Sequence, residues 1–226
     1  MDFLSCIILS ADAGRCLRLR SRPQLLASVA VLRLQFANVP WVQEYVHNAR
    51  GFFTANNIDD FSAANPIRFT MINLQVPLFS VTGHSSSANL LAFSAGAVLM
   101  LSWLYLLIRN GKDESELLSL GAISIIGLLP VYHRFYDAGF LAVPLCWCVA
   151  QRMGRAKGIT RIAVLLMTPF LAPATAFLLQ MAREDRIPGA VTRSWWWNCA
   201  VMPHETWTLL LLSLVLLYAM TLRPSR

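Results

Sequence analysis

Residues 89–108 read NLLAFSAGAVLMLSWLYLLI, twenty residues without a charge. At 1.5 Å per residue a helix of that length covers about 30 Å, the hydrocarbon thickness of a bilayer. Arg109 and Lys112 close the run. Backbone in lipid has no water to bond to, so a spanning segment must satisfy its own N–H and C=O groups, as a helix does. The rest of the chain agrees with that constraint. Of its 226 residues 56% are hydrophobic and only 14% charged, where a soluble domain carries about 25% charged residues. The apolar residues also come in blocks rather than at helical or strand spacing. The expected fold class is therefore all-α, a polytopic integral membrane protein.

The blocks divide the chain into a single membrane domain, 1–226. Residues 1–23 are a basic segment containing RCLRLRSR. Residues 24–40 form a weak span, because Arg33 and Gln35 interrupt it and an arginine at mid-span costs roughly 2.5–3.5 kcal/mol on insertion scales. Residues 41–88 are the longest polar stretch, rich in aromatic residues and amides; that mixture reads as an ordered loop rather than a disordered linker. Residues 89–221 read as a five-span bundle: 89–108, 117–132, 138–150, 162–180 and 207–221. Two of these spans, 117–132 and 138–150, are short. They either cross a thin or protein-lined region or form a hairpin dipping from one face. Pro169 and Pro173 predict a kink in 162–180. The total is six spans.

Charge orients them. The formal net charge is +7. Positive-inside bias accounts for it better than nucleic acid does, since basic residues sit beside apolar spans with none of the aromatic interleaving that single strands require. With residues 1–23, 109–116, 151–161 and 222–226 inside, twelve Lys and Arg face the cytoplasm and six face outward. Loops 41–88, 133–137 and 181–206 are then extracytoplasmic. The N-terminus lacks the basic n-region of a signal peptide. The five cysteines make no CxxC pair and no zinc spacing, so neither a disulfide framework nor a metal site is expected, and no cofactor.

Three constellations could carry chemistry. The first is His133-Arg134-Phe135-Tyr136-Asp137, set between two apolar runs. At an apolar–water boundary His133 and Arg134 can bind a phosphate, the arginine through a bidentate fork. Asp137 can orient His133 or accept a sugar hydroxyl, and Tyr136 suits the interface. A plain polar turn between spans would need fewer ionisable groups. The second is the loop holding Asp59, Asp60, Asn65, Arg68, Asn73 and Gln75. Amides and aromatic platforms suit carbohydrate hydroxyls, and either aspartate could act as a general base; equally, Asp60 ahead of Phe61-Ser62 could be a cap. The third is Trp195-Trp196-Trp197 with His204 and Glu205, read first as an interfacial aromatic belt and otherwise as a stacking platform. No Walker loop, dinucleotide fingerprint or nucleophile elbow is present.

The run LLPVYHRFYDAGFLAVPLCW, preceded by NNIDDFSAANPIRFTMINLQVPLF, resembles the bacterial polytopic glycosyltransferase family 87 over roughly residues 25–180. Its members are similar to polyprenyl-phosphate-mannose-dependent mannosyltransferases of the GT-C architecture. The resemblance implies a multi-pass enzyme of the bacterial inner membrane that takes a sugar from a lipid-linked donor and passes it, with inversion, to a glycan or lipid acceptor. Donor, acceptor and membrane lipids are then the expected partners, and nucleic acid is not. By motif, Asp137 and His133 are the catalytic candidates. Arg134, Tyr136, Asp59, Asp60, Asn65, Arg68, Asn73 and Gln75 are the substrate-binding candidates. GT-C enzymes have more spans and a catalytic carboxylate in an early loop. The chain opens mid-pattern with IILSADAGR, so the expectation is a match to the C-terminal half of such an enzyme. The alternative is a non-catalytic polytopic membrane protein, a transporter subunit or assembly factor. Transporters place polar groups at mid-bilayer in broken helices, often with repeats; here no repeat is present and the polar groups flank the spans.

Overall fold

The computed structural model describes residues 60–111, 115–131, 133–151, 157–172 and 174–222. The weak span 24–40, Asp59 and Pro173 lie outside the described residues, and Phe135 and Tyr136 are described in their backbone alone. Among the described residues the chain is helical and contains no strand. The principal helices are α1 (Gln75–Thr82), α2 (Ser85–Asn110), α3 (Glu116–Leu128), α4 (Ala142–Ala150), α5 (Lys157–Met167), α6 (Ala174–Arg183) and α7 (His204–Thr221).

Two helices are long and apolar enough to cross a membrane: α2, with 26 residues, and α7, with 18. A third candidate is the pair Lys157–Leu171 and Ala174–Arg183, which meets the same criteria together and is bent by 42°. The bend follows a 3-10 turn, Thr168–Leu171, with Pro169 in its first positions, where the missing N–H interrupts the α ladder. Helix α3, with 13 residues, reaches only about 20 Å. Helix α4, with 9 residues, is extended toward its N-terminus by a 3-10 segment, Phe135–Leu141.

Local chemistry sets the boundaries. Ser115 caps α3, its hydroxyl accepting from Leu118 N at 3.4 Å. Helix α1 ends at Gly83, whose φ of +68° is left-handed and whose N–H returns to Phe79 O at 2.8 Å, the usual glycine stop.

Helices α2 and α3 pack antiparallel: Trp103 Nε1 donates to Ser119 O at 3.1 Å, while Gly96 meets Pro130 further along. A Cβ on Gly96 would sit 2.8 Å from Pro130 Cβ, and one on Gly121 would sit 3.1 Å from Pro144 Cα. Small residues at these crossings let the backbones approach, which is how helices associate where the hydrophobic effect between them is weak. At the far end Asn110 Nδ2 donates to Met220 O at 2.7 Å, so the C-termini of α2 and α7 lie together. The main core runs through α2, α3, α4, α5 and α7, with Ile125, Ile126, Leu209, Leu212 and Leu216 fully buried. A second core of Phe61, Phe69, Met71, Val76, Ala88, Trp197 and Met202 sits at the opposite end, covered by Leu178, Leu179, Ile187 and Val191. That core joins the segment from residue 60 and the segment between α6 and α7 into one cap.

Candidate functional site

The cap carries the polar cluster. Met71 and Arg134 form an isolated antiparallel bridge. Beside it Ile72 N donates to His133 O at 3.0 Å and Leu74 N to Leu129 O at 2.9 Å. Gln75 Nε2 adds a bond to Pro130 O at 2.6 Å. The end of the amide-rich loop is thereby stitched onto the residues that lead out of α3. The stitch answers a need of the sequence. Pro130 ends α3, and the carbonyls past a helix end require donors from elsewhere; the loop supplies them.

His133, Arg134 and Asp137 come together at the start of the 3-10 segment. Asp137 Oδ2 accepts from Arg134 N at 3.0 Å and lies 3.2 Å from His133 Nδ1. Asp137 N returns to Arg134 O at 2.9 Å. The carboxylate thus caps the segment and fixes the imidazole, leaving the other ring nitrogen as the available one. The His133 and Asp137 side chains are 24% and 27% exposed, which suits groups that meet a ligand. Tyr136 lies in the same 3-10 segment.

The loop amides are placed differently. Asn65, 7% exposed, donates from Nδ2 to Asp60 O at 2.7 Å and accepts at Oδ1 from Ile67 N at 3.0 Å. Asn73, 2% exposed, accepts at Oδ1 from Val76 N, in the first turn of α1, at 3.4 Å. Asp60 accepts from Ser62 N at 2.8 Å and from Ser62 Oγ at 2.9 Å, a local turn two residues on rather than a helix cap, since the first described helical turn begins at Arg68. These groups build the loop. Gln75 departs from that pattern: it is 3% exposed, and its Oε1 has no hydrogen-bond partner among the described residues. Arg68 lies over the rings of Phe69, at 4.6 Å, and Phe79, at 5.6 Å. Burial lowers its guanidinium from the ordinary arginine value, and the nearby Asp60 carboxylate pulls the other way.

The tryptophan triplet splits. Trp195 is 71% exposed, as an interfacial ring would be, whereas Trp197 is buried in the second core. A further polar cluster gave a weaker signal in sequence. Glu205, in the first turn of α7, is buried, accepts from Thr175 Oγ1 at 3.1 Å and lies 4.0 Å from His204 Nε2. Only the acid–histidine pair was visible along the chain; Thr175 joins from another helix. No group of three or more His, Cys, Asp or Glu among the described residues could hold a metal.

No protein-family model matches the chain, and no curated protein and no solved structure is similar to it. The fold itself defines a class: an all-helical protein with two membrane-length helices, three if the bent pair is one span, whose polar cluster sits in a cap at one end.

Proposed function

We propose that the chain is a membrane-embedded glycosyl-transfer protein acting on a polyprenyl-phosphate sugar, with the residue 60–84 and 133–141 segments on the extracytoplasmic face of a six-span protein of the bacterial inner membrane. The observation that carries the reading is the stitch between Ile72 and His133. It brings Arg134, His133 and Asp137, the last two partly exposed, beside a polar loop, where the headgroup of a lipid can reach them while its tail stays in hydrocarbon. Arg134 holds the donor phosphate by a charge-assisted fork, assisted by His133. Asp137 keeps the imidazole oriented. The acceptor hydroxyl attacks C1 of the sugar; the new C1–O bond forms as the C1–O phosphate bond breaks, and the electron pair leaves on the polyprenyl phosphate. The acceptor proton goes to the Asp137 carboxylate, which among the described residues takes contacts from Arg134 N and His133 Nδ1 on Oδ2. Gln75 Oε1 offers an acceptor to a sugar hydroxyl.

A second reading has its own support. Asp60 and two of the loop amides serve the loop's own backbone, which leaves fewer groups for an acceptor than an active transferase would use. On that reading the cluster binds a lipid phosphate without transferring anything, as an assembly factor would.

One experiment separates them. Membranes expressing the wild-type chain or Arg134→Ala are given radiolabelled polyprenyl-phosphate mannose. Transfer reads label in glycan, and binding reads label retained on the purified protein. Transfer by wild type, lost by about 100-fold or more in Arg134→Ala at unchanged membrane level, supports the first reading. Arg134-dependent retention without transfer supports the second. Normal transfer by Arg134→Ala overturns the assigned role.

A further inference from the structure

A groove of about 460 Å³ lies between α4 and α5, lined by Cys148, Val149, Lys157, Arg161, Val164 and Leu165 among others. Most of its wall is one face of α5. Lys157, Thr160, Arg161, Val164, Leu165 and Thr168 recur at i, i+3, i+4, i+7, i+8 and i+11, the spacing of a single helical stripe. The stripe is graded. Its first turns carry two cations, four residues apart, and its later turns carry Val164 and Leu165, which are 40% and 67% exposed. Val149, on α4, adds a further apolar wall and is 58% exposed. Neither Lys157 nor Arg161 pairs with a carboxylate among the described residues. No acidic residue lines the groove.

We infer that this groove binds an anionic phospholipid, its phosphate between Lys157 and Arg161 and one acyl chain along Val149, Val164 and Leu165. Charge complementarity selects the occupant. Residues four apart on a helix are neighbours, about 5–6 Å between Cβ atoms, so the two cations can flank one phosphate. The stripe from Lys157 to Thr168 runs for roughly 16 Å, a head-to-tail gradient on the scale of a lipid. Basic pockets between membrane helices hold anionic headgroups in this way. Segment 151–161 contains four basic residues and no acidic one, so the groove opens on the leaflet opposite the His133 cluster. The site is independent of glycosyl transfer: it requires only that the bundle lie in a bilayer.

The test uses the full chain in nanodiscs of phosphatidylcholine with a minor fraction of phosphatidylglycerol. Retained lipid is counted by native mass spectrometry after gentle detergent transfer. Wild type is expected to retain phosphatidylglycerol over phosphatidylcholine by about tenfold or more, with the preference falling as salt rises. Lys157→Gln with Arg161→Gln should bring that ratio to within about twofold, and Val164→Trp, which fills the groove but keeps both charges, should also lower it. Arg109→Gln with Lys112→Gln, which removes two charges elsewhere on that leaflet, should leave the ratio unchanged. An undiminished preference in the groove variants, or an equal loss in the Arg109 and Lys112 variant, would overturn the site.

Discussion

Ile72 donates its backbone N–H to the carbonyl of His133 at 3.0 Å, and Ile72 itself is fully buried. That bond ties two segments that are far apart along the chain, so its loss should register as stability. Ile72→Pro removes the donor and leaves a carbonyl short of a partner, which costs about 1–3 kcal/mol, beyond the effect of altered packing. Ile72→Val removes one methylene and should cost about 0.5–1.5 kcal/mol. Thermal denaturation in detergent is expected to rank the proline variant clearly below the valine variant. Equal midpoints would mean that the stitch contributes nothing.

Asp137 serves two partners at once, and the two can be separated. Asp137→Asn keeps an oxygen that can accept from Arg134 N, so the 3-10 segment should stay capped. It removes the negative charge beside His133. The expected result is an unchanged melting temperature with transfer reduced by about 100-fold. Asp137→Ala should lose both function and about 1 kcal/mol of stability. A fully active Asp137→Asn variant would remove the carboxylate from the mechanism.

The large features of this fold were legible as composition. The run at 89–108 lies within α2 and that at 207–221 within α7, because a block of that length and apolarity has few other solutions in a membrane protein. Pro169 was legible as a kink for the reason that a missing N–H always is. The clustering of His133, Arg134 and Asp137 was legible too, being local. Whether an amide faces a ligand or its own backbone was not. Asn65 and Asn73 have the same composition in either role, and short polar side chains readily bond to neighbouring backbone. Nor could the chain order alone reveal Thr175 beside Glu205, or that Trp197 turns inward while Trp195 turns outward.

Two glycines on α3 offer a matched comparison. A methyl at Gly121 would meet Pro144 Cα, a backbone atom that cannot swing aside, whereas one at Gly127 would meet nothing within 4 Å. Gly121→Ala is expected to destabilise by about 1–3 kcal/mol through overpacking. Gly127→Ala should be neutral or stabilise by up to about 1 kcal/mol, the helix-propensity gain. Chemical denaturation in mixed micelles gives both values. A neutral Gly121→Ala would show that α3 and α4 do not pack this closely.

Burial raises the Cys199 thiol above its ordinary value of 9.0, and the residue is 6% exposed. Thiolate is the reactive form, so maleimide should modify Cys199 slowly in the folded protein at pH 8 and rapidly after denaturation. The stability sign follows from the same shift. The fold favours the neutral thiol, so its contribution is complete below the ordinary thiol range and declines as pH rises through it. Labelling of Cys199 in the folded protein at the denatured rate would contradict the packing of the second core.

The account depends on the amide-rich loop and the His133–Asp137 cluster sharing one face. Met71→Cys with Arg134→Cys, in a chain whose native cysteines are replaced, tests that in intact membranes. Residues opposed in an antiparallel bridge have Cα atoms about 4.5–5.5 Å apart, within disulfide reach. Mild oxidation is predicted to form an intramolecular disulfide, read as a reducible mobility shift. The absence of that disulfide, with an impermeant thiol reagent reaching the two positions from opposite sides of the membrane, would contradict it.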